Sequence, residues 1–274
     1  MKDFKNKVIV VTGAGSGMGR AYATEFGKLG AKLALNDYEE GPLNETLDIL
    51  KNQGVSEIYS EAFDVSDKDK MFAFSENVKA KFGNAHVIIN NAGIEGSVKT
   101  AYDTSVDDYH KIMNINFFGV VHGCKAFLPQ LVENNEGAVV NVSSVFGLVG
   151  TPLNSDYCAT KFAVRGYTQS LAIEFEESPI SIHCLHPGGI NTNIVRNEEG
   201  REFSKKYLTT PPDDIVRHVI KCIGSGKTKI VYGQDSFRMW FASNLVSHQF
   251  LNKVVYKEFK KVMDIGRLMH YLKK

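Results

Sequence analysis

The amino-acid sequence predicts an α/β fold, a parallel sheet of about seven strands with helices on both faces. Three observations carry that expectation. Short β-branched runs alternate with longer helical patterns along the chain, the signature of strand–helix–strand units. Several of these runs are apolar on both faces, as strands buried inside a parallel sheet are. A glycine-rich turn joins the first run to the first helical pattern.

The elements follow in order. "KVIVVT" (7–12) is the first strand, and the glycine turn after it opens a helix over 17–29. "KLALND" (32–37) is the second strand, ended by an acid, with helical spacing over 41–54. "EIYSEAF" (57–63), a helix over 67–82 and "HVIINN" (86–91) come next. A long helical pattern, 107–133, leads to "GAVVNVS" (137–143), and another, 156–177, to "ISIHCLH" (180–186). Pro211–Pro212 followed by Asp213–Asp214 marks a helix start, because proline suits the first turn and acids suit the positive end of the helix dipole. "TKIVYG" (228–233) is the seventh strand. No repeat, low-complexity tract or linker interrupts this order. Residues 1–234 are therefore expected to form a single domain, and 235–274 a C-terminal amphipathic helical extension.

Composition narrows the function classes. The 274 residues are 43% hydrophobic and 23% charged, enough to bury a core without staples. A net charge of +1 points away from a nucleic-acid partner. Cys124, Cys158, Cys184 and Cys222 form no CxxC pair and no zinc-like spacing with His, so reduced buried thiols and no metal are expected. "MKDFKNKVIVV" mixes acid and base before a very short apolar run and does not read as a signal peptide. With no apolar run of about 18 residues, the expectation is a cytoplasmic protein.

"TGAGSGMG" (12–19) carries Gly13, Gly17 and Gly19 in the spacing T-G-x-x-x-G-x-G, not the common G-x-G-x-x-G. The physics survives the change. Glycines allow a tight turn and close backbone approach, and the following helix N-terminus attracts a pyrophosphate. Asp37 ends the second strand and is placed to accept hydrogen bonds from adenosine ribose hydroxyls. Its carboxylate would repel a 2′-phosphate, and neither Tyr38 nor Ser16 is basic. NAD is favoured over NADP.

From these residues onward the chain resembles the short-chain dehydrogenase/reductase family, over roughly residues 5–195. "TGAGSGMG", with Gly13, Ser16, Gly17, Met18 and Gly19, is similar to its cofactor loop. Asp64–Val65 resembles the pair that meets the adenine, and "NNAG", with Asn91, Ala92 and Gly93, the segment that touches the cofactor after the fourth strand. Asn116 in "NINFFG" and Ser144 in "NVSS" stand at the places of the catalytic Asn and Ser. "YCATK" supplies Tyr157 and Lys161. "HPGGINT" resembles the segment that flanks the nicotinamide, with Pro187, Gly188, Ile190 and Thr192. The resemblance implies a Rossmann-like, doubly wound sheet and an NAD-dependent oxidoreductase acting on a small-molecule alcohol or ketone. It also implies a homodimer or homotetramer, and a water held by Asn116 that links Lys161 to solvent.

The chemistry can be stated from the residues. Oxidising a secondary alcohol needs a base for the hydroxyl proton. A tyrosine, with a pKa of about 10, is a poor one near neutral pH. A nearby cation favours the phenolate, so Lys161, four residues on, is expected to lower the Tyr157 pKa. Ser144 can donate to the substrate oxygen. His186 is expected to pack or to bond backbone. Two alternatives are a non-enzymatic dinucleotide sensor or scaffold, and a sugar epimerase or dehydratase. The latter use a different glycine spacing.

Substrate choice is expected to lie after the sixth strand, where the polar stretch 193–214 reads as a lid. In the tail, Phe237, Phe241, Leu245, Leu251, Val255, Phe259 and Val262 recur at helical spacing, with Lys253, Lys257, Lys260 and Lys261 on another face. Residues 253–274 hold seven Lys/Arg against two Asp/Glu. The favoured expectation is a helix packing on its own domain or on a partner subunit. An anionic membrane surface is the alternative. The aromatic content near Trp240 suggests a lipophilic substrate, such as a steroid, retinoid or long-chain compound.

Overall fold

The structure, a computed structural model, describes residues 1–192 and 206–261. Seven parallel strands form one sheet: β1 (Val8–Thr12), β2 (Lys32–Asp37), β3 (Ile58–Ala62), β4 (Val87–Asn90), β5 (Gly137–Val142), β6 (Ile180–Pro187) and β7 (Lys229–Tyr232). Their spatial order is β3-β2-β1-β4-β5-β6-β7. The chain grows outward from β1 to β3, then returns to the centre and grows the other way from β4. This reversal between β1 and β4 leaves a crevice at the carboxyl ends of the strands, where ligands bind in open α/β sheets. The predicted fold class holds, and each strand lies within a residue or two of its expected bounds.

Side-chain alternation builds the two cores. On one face Ile9 and Val11 meet Tyr22 and Phe26 of α1 (Gly17–Lys28), with Ile215 and Val219 of α7 (Pro212–Cys222) in the same cluster. On the other face lie Val8 and Val10. They share a cluster with Phe74 of α3 (Lys68–Phe82), Phe127 of α5 (Gly119–Asn134) and Val164 of α6 (Ser155–Glu174). Each such side chain, fully buried, contributes roughly 1.5–3 kcal/mol. A remaining helix, α2 (Glu40–Asn52), packs beside α1. All four cysteines are free and buried, as expected of apolar thiols.

Two departures from the sequence expectation matter for the site. The long helix expected over 107–133 is interrupted. After α4 (Val106–Met113), residues Asn114–Phe118 form one π-helical turn before α5 begins. Such turns insert an extra residue and are frequent at functional sites. Here the turn buries Asn116 completely while Asn114 stays exposed.

The tail is also not one amphipathic face. It forms α8 (Ser236–Leu245) and α9 (His248–Phe259), broken where Val246 and Ser247 are extended. The break re-phases the periodicity. Leu251, Val255 and Phe259 are buried, whereas Phe237, Phe241 and Leu245 are exposed. The buried side packs on the chain's own Leu148 and Val149, with Phe146, Met239 and Trp240 at its border. Val262 and the first part of the expected lid, 193–205, lie outside the described residues.

Candidate active site

Backbone conformation shapes the first wall of the crevice. Gly13 and Gly17 hold φ of 67° and 51°, the left-handed region where a side chain is costly. A Cβ on Gly19 would lie 1.8 Å from the Gly13 carbonyl oxygen, so the helix start is pressed onto the turn. Ser16 makes no side-chain cap to α1, and the first turn of α1 holds no acid. Its N–H groups and positive dipole end thus face the crevice without a built-in anion. Met18 is partly buried against the adjoining core.

The Asp37 carboxylate accepts from the backbone N–H of Gly15 at 2.7 Å and of Glu39 at 3.0 Å. It therefore already borders the loop. Arg20 is occupied, its guanidinium bonding the Gly15 and Pro42 carbonyls, Thr46 and Glu45. Asp64 accepts from the N–H of Ser66 at 2.9 Å, and Val65 is buried against Gly119.

The end of β4 is tied to this loop. Asn91 donates through Nδ2 to the carbonyl of Thr12 at 3.0 Å and of Gly13 at 3.3 Å. In return the Thr12 hydroxyl accepts from the N–H groups of Asn91 at 3.0 Å and Ala92 at 3.1 Å. Gly93 leads to Asn116. The Asn116 amide accepts from Ile94 N–H at 2.8 Å and donates to Ile94 O at 2.9 Å. A Cβ on Gly93 would sit 3.1 Å from Asn116 Oδ1 and 3.5 Å from Lys161 Nζ, so this segment, Asn116 and Lys161 converge.

The other wall joins β5 to α6. Ser143 donates its hydroxyl to the Lys161 carbonyl at 2.8 Å, stapling the strand end to the helix. The Ser144 hydroxyl accepts from Phe146 N–H at 3.1 Å. Lys161 is 4% exposed, donates to the Val142 carbonyl at 3.0 Å and lies 5.5 Å from the Tyr157 ring centre. Burial pulls its pKa down to about 8. Tyr157 is half-buried by area, yet burial around its hydroxyl pushes the pKa up, while Ser144 pulls the other way. The direction at Tyr157 is thus opposite to the lowering expected from Lys161, because desolvation penalises the charged form of both groups.

Three supporting residues were not singled out by the sequence. Thr12 stands before Gly13 in the quoted loop, where the glycines drew the attention. Asp156, 2% exposed, accepts from Tyr157 N–H and from Ser97 N–H, each at 2.8 Å, and so ties the 94–98 loop to the first turn of α6. An acid beside Tyr157 at a helix start was the available signal. Phe146 packs edge-on to Tyr157 at 6.2 Å and lies 6.1 Å from Phe259 of α9. His186 does bond backbone, as expected, but at a telling place. Its Nδ1–H donates to the Ser144 carbonyl at 2.9 Å, and burial pulls its pKa down to about 4, so the ring is neutral.

Pro187 ends β6. A Cβ on Gly188 would meet the Gln234 carbonyl at 2.2 Å. Ile190 is buried, and the Thr192 side chain would lie 3.1 Å from a Cβ on Gly17. The last part of the HPGGINT stretch thus reaches back to the glycine loop. A cavity of about 390 Å³ opens there, lined by Gly17, Arg20, Thr192 and Pro212 among others. Its lining includes neither Ser144 nor Tyr157.

A doubly wound parallel sheet, a glycine turn at its switch point and a Ser–Tyr–Lys group across the crevice define a dehydrogenase-type fold and site. Residues 7–202 match the family described as short chain dehydrogenase, and the chain belongs to that family of oxidoreductases. A Mycobacterium tuberculosis protein named as an oxidoreductase, SadH, is 36% identical over 253 residues, covering 86% of this chain and 89% of its own. Epidermal retinol dehydrogenase 2 of Mus musculus is 36% identical over 173 residues, 63% of this chain and 56% of its own. A short chain dehydrogenase/reductase from Burkholderia phymatum, solved in complex with NAD, superposes with a TM-score of 0.78 at 30% identity, covering 84% of this chain and 90% of that one. Levodione reductase gives 0.78 at 28% identity, over 88% and 99%.

Proposed function

We propose that the protein is an NAD(H)-dependent enzyme that interconverts a secondary alcohol and a ketone, with Tyr157 as general acid and base. One observation carries this: Tyr157, Lys161 and Ser144 meet at one sheet end, facing a glycine loop and a carboxylate that suit a dinucleotide. A bound nicotinamide supplies hydride transfer. The chain manages the proton. Burial keeps the Tyr157 phenol protonated, ready to donate to a ketone. In the reverse direction the Lys161 cation favours the phenolate. Ser144 donates to the substrate oxygen and steadies the developing alkoxide. Asn116 and Asp156 hold the 94–98 loop against this group.

Fit to NAD rests on the chain's own residues. Gly13 and Gly17 take left-handed backbone that turns the loop across the start of α1, whose N-terminus has no side-chain cap and would attract a pyrophosphate. Asp37 would accept from the ribose hydroxyls and repel a 2′-phosphate. Arg20, already bonded to four groups, is not free to offset that repulsion. The similar Burkholderia chain binds NAD. Asp64, Val65 and Asn91–Gly93 would flank the adenosine half, and Pro187, Gly188, Ile190 and Thr192 the nicotinamide half.

A lipophilic substrate, steroid-, retinoid- or long-chain-like, suits the apolar group around Phe146, Met239 and Trp240, and a similar protein is named for retinol. Apolar side chains exposed on α4 to α6, including Phe118, Val132, Phe162 and Ile173, suit a homodimer or homotetramer. The test is NADH and NADPH oxidation side by side over lipophilic and small polar ketones. NADH with a lipophilic ketone should be fastest. Intact NADH binding with no oxidation across the panel would instead favour a sensor.

A further inference from the structure

The terminal helices carry two unlike faces. Leu251, Val255 and Phe259 are buried on the protein. On the outside, Phe237, Phe241 and Leu245 follow one another every four residues along α8 and are 66%, 51% and 68% exposed. Phe250 and Val254 of α9 are exposed as well, at 60% and 40%. Single exposed apolar side chains are ordinary, but a row of five on two successive helices marks an interaction surface.

Charge lies beside it. Phe250, Val254 and Lys257 are spaced by four and three residues, so they share one flank of α9, and Lys260 and Lys261 follow at its end. Residues 235–261 hold five Lys/Arg (Arg238, Lys253, Lys257, Lys260, Lys261) against Asp235 and Glu258. The two acids pair with Arg238 and Lys261. Among the described residues, no carboxylate pairs with Lys253, Lys257 or Lys260. A self-complementary contact with a second copy would press this basic flank toward its own image. An anionic lipid surface complements both parts, offering an apolar layer to the phenylalanines and phosphates to the lysines.

We propose that the outer face of α8 and α9 docks the protein on an anionic membrane surface. None of the described helices is long and apolar enough to cross a membrane, so the contact is one of lying on the bilayer. Neither the dehydrogenase chemistry nor its residues enter this inference.

The test is flotation of the full-length protein with vesicles of phosphatidylcholine, alone or mixed with phosphatidylglycerol. Partition onto the mixed vesicles should be about tenfold stronger or more, since each basic side chain near such a surface adds several-fold. Phe237→Asp with Leu245→Asp should remove most of that binding. Lys253→Glu with Lys257→Glu should reduce it to the neutral-vesicle level. All four positions are exposed, so circular dichroism and NADH binding should not change. Equal recovery on both vesicle types, or none on either, would overturn the proposal. So would a halved particle mass for the Phe237/Leu245 variant in sedimentation velocity, which would make a second copy the occupant.

Discussion

Around Gly13–Gly19 the crevice wall is made of backbone, while around Ser144–Gly147 it is made of side chains that arrive from far along the chain. The glycine loop depends on neighbours: two left-handed glycines, one threonine and the ends of two adjacent strands. The serine turn depends on His186 from β6, Lys161 from α6 and Phe259 from the last described helix. The difference separates two tasks. A wall of backbone needs only a local motif, whereas a wall of side chains needs pieces brought together by the whole fold.

Substitutions can break or sharpen this division. The largest effect is expected from Tyr157→Phe. It should lower turnover by about 10²–10⁴-fold, while NADH affinity, read by fluorescence titration, stays within a few-fold. Loss of cofactor binding would show that the two walls are not separable. Asp37→Asn keeps an acceptor for Gly15 N–H but loses the charge. NADH affinity should fall about 10–100-fold, the worth of a charge-assisted hydrogen bond, and NADPH affinity should rise, with turnover on saturating NADH little changed.

Phe259→Ala works on the other wall. It removes the ring that backs Phe146 and should cost about 2–3 kcal/mol, at or below the range for fully buried phenylalanines. KM for a lipophilic ketone should rise severalfold with NADH affinity intact, and an unchanged KM would remove the tail from the substrate wall.

The smallest effect concerns Lys161. Its folded pKa is about 8, against an ordinary value of 10.5. Between those values the folded protein binds fewer protons than the unfolded chain, so this group makes stability rise with pH there. Below the window the buried charge is a constant cost. Tyr157 and the buried cysteines, shifted upward, act in the opposite sense. The measurement is therefore a difference. Lys161→Met should gain thermal midpoint over the parent near neutral pH and lose that advantage by about pH 10.

Much of the fold was legible because its signals are local. β-branched runs and the proline–acid start of α7 mark ends within a few residues, and Tyr157 and Lys161 are neighbours on one helix. What was illegible depends on cross-chain bonding. Nothing in the sequence around His186 says that it holds the Ser144 carbonyl, or that burial sets the direction of the shift at Tyr157. The π turn at Asn114–Phe118 hides inside an uninterrupted helical pattern. The tail misled for a related reason: Phe241 and Leu245 share a spacing with Leu251 and Val255, but two extended residues, Val246 and Ser247, turn the two sets to opposite sides.

The contact of Phe259 with Phe146 also sets an order of events at the ribosome. All seven strands and the glycine loop are complete before α9 is made. Until α9 emerges, Leu148 and Val149 lack Leu251, Val255 and Phe259 from their cluster. A nascent chain at that stage has a finished glycine wall next to an incompletely covered apolar shelf, the kind of surface that chaperones and aggregation compete for. A stop codon or a nick just after α8 would leave the same species, a finished sheet whose Phe146 lacks the Phe259 ring.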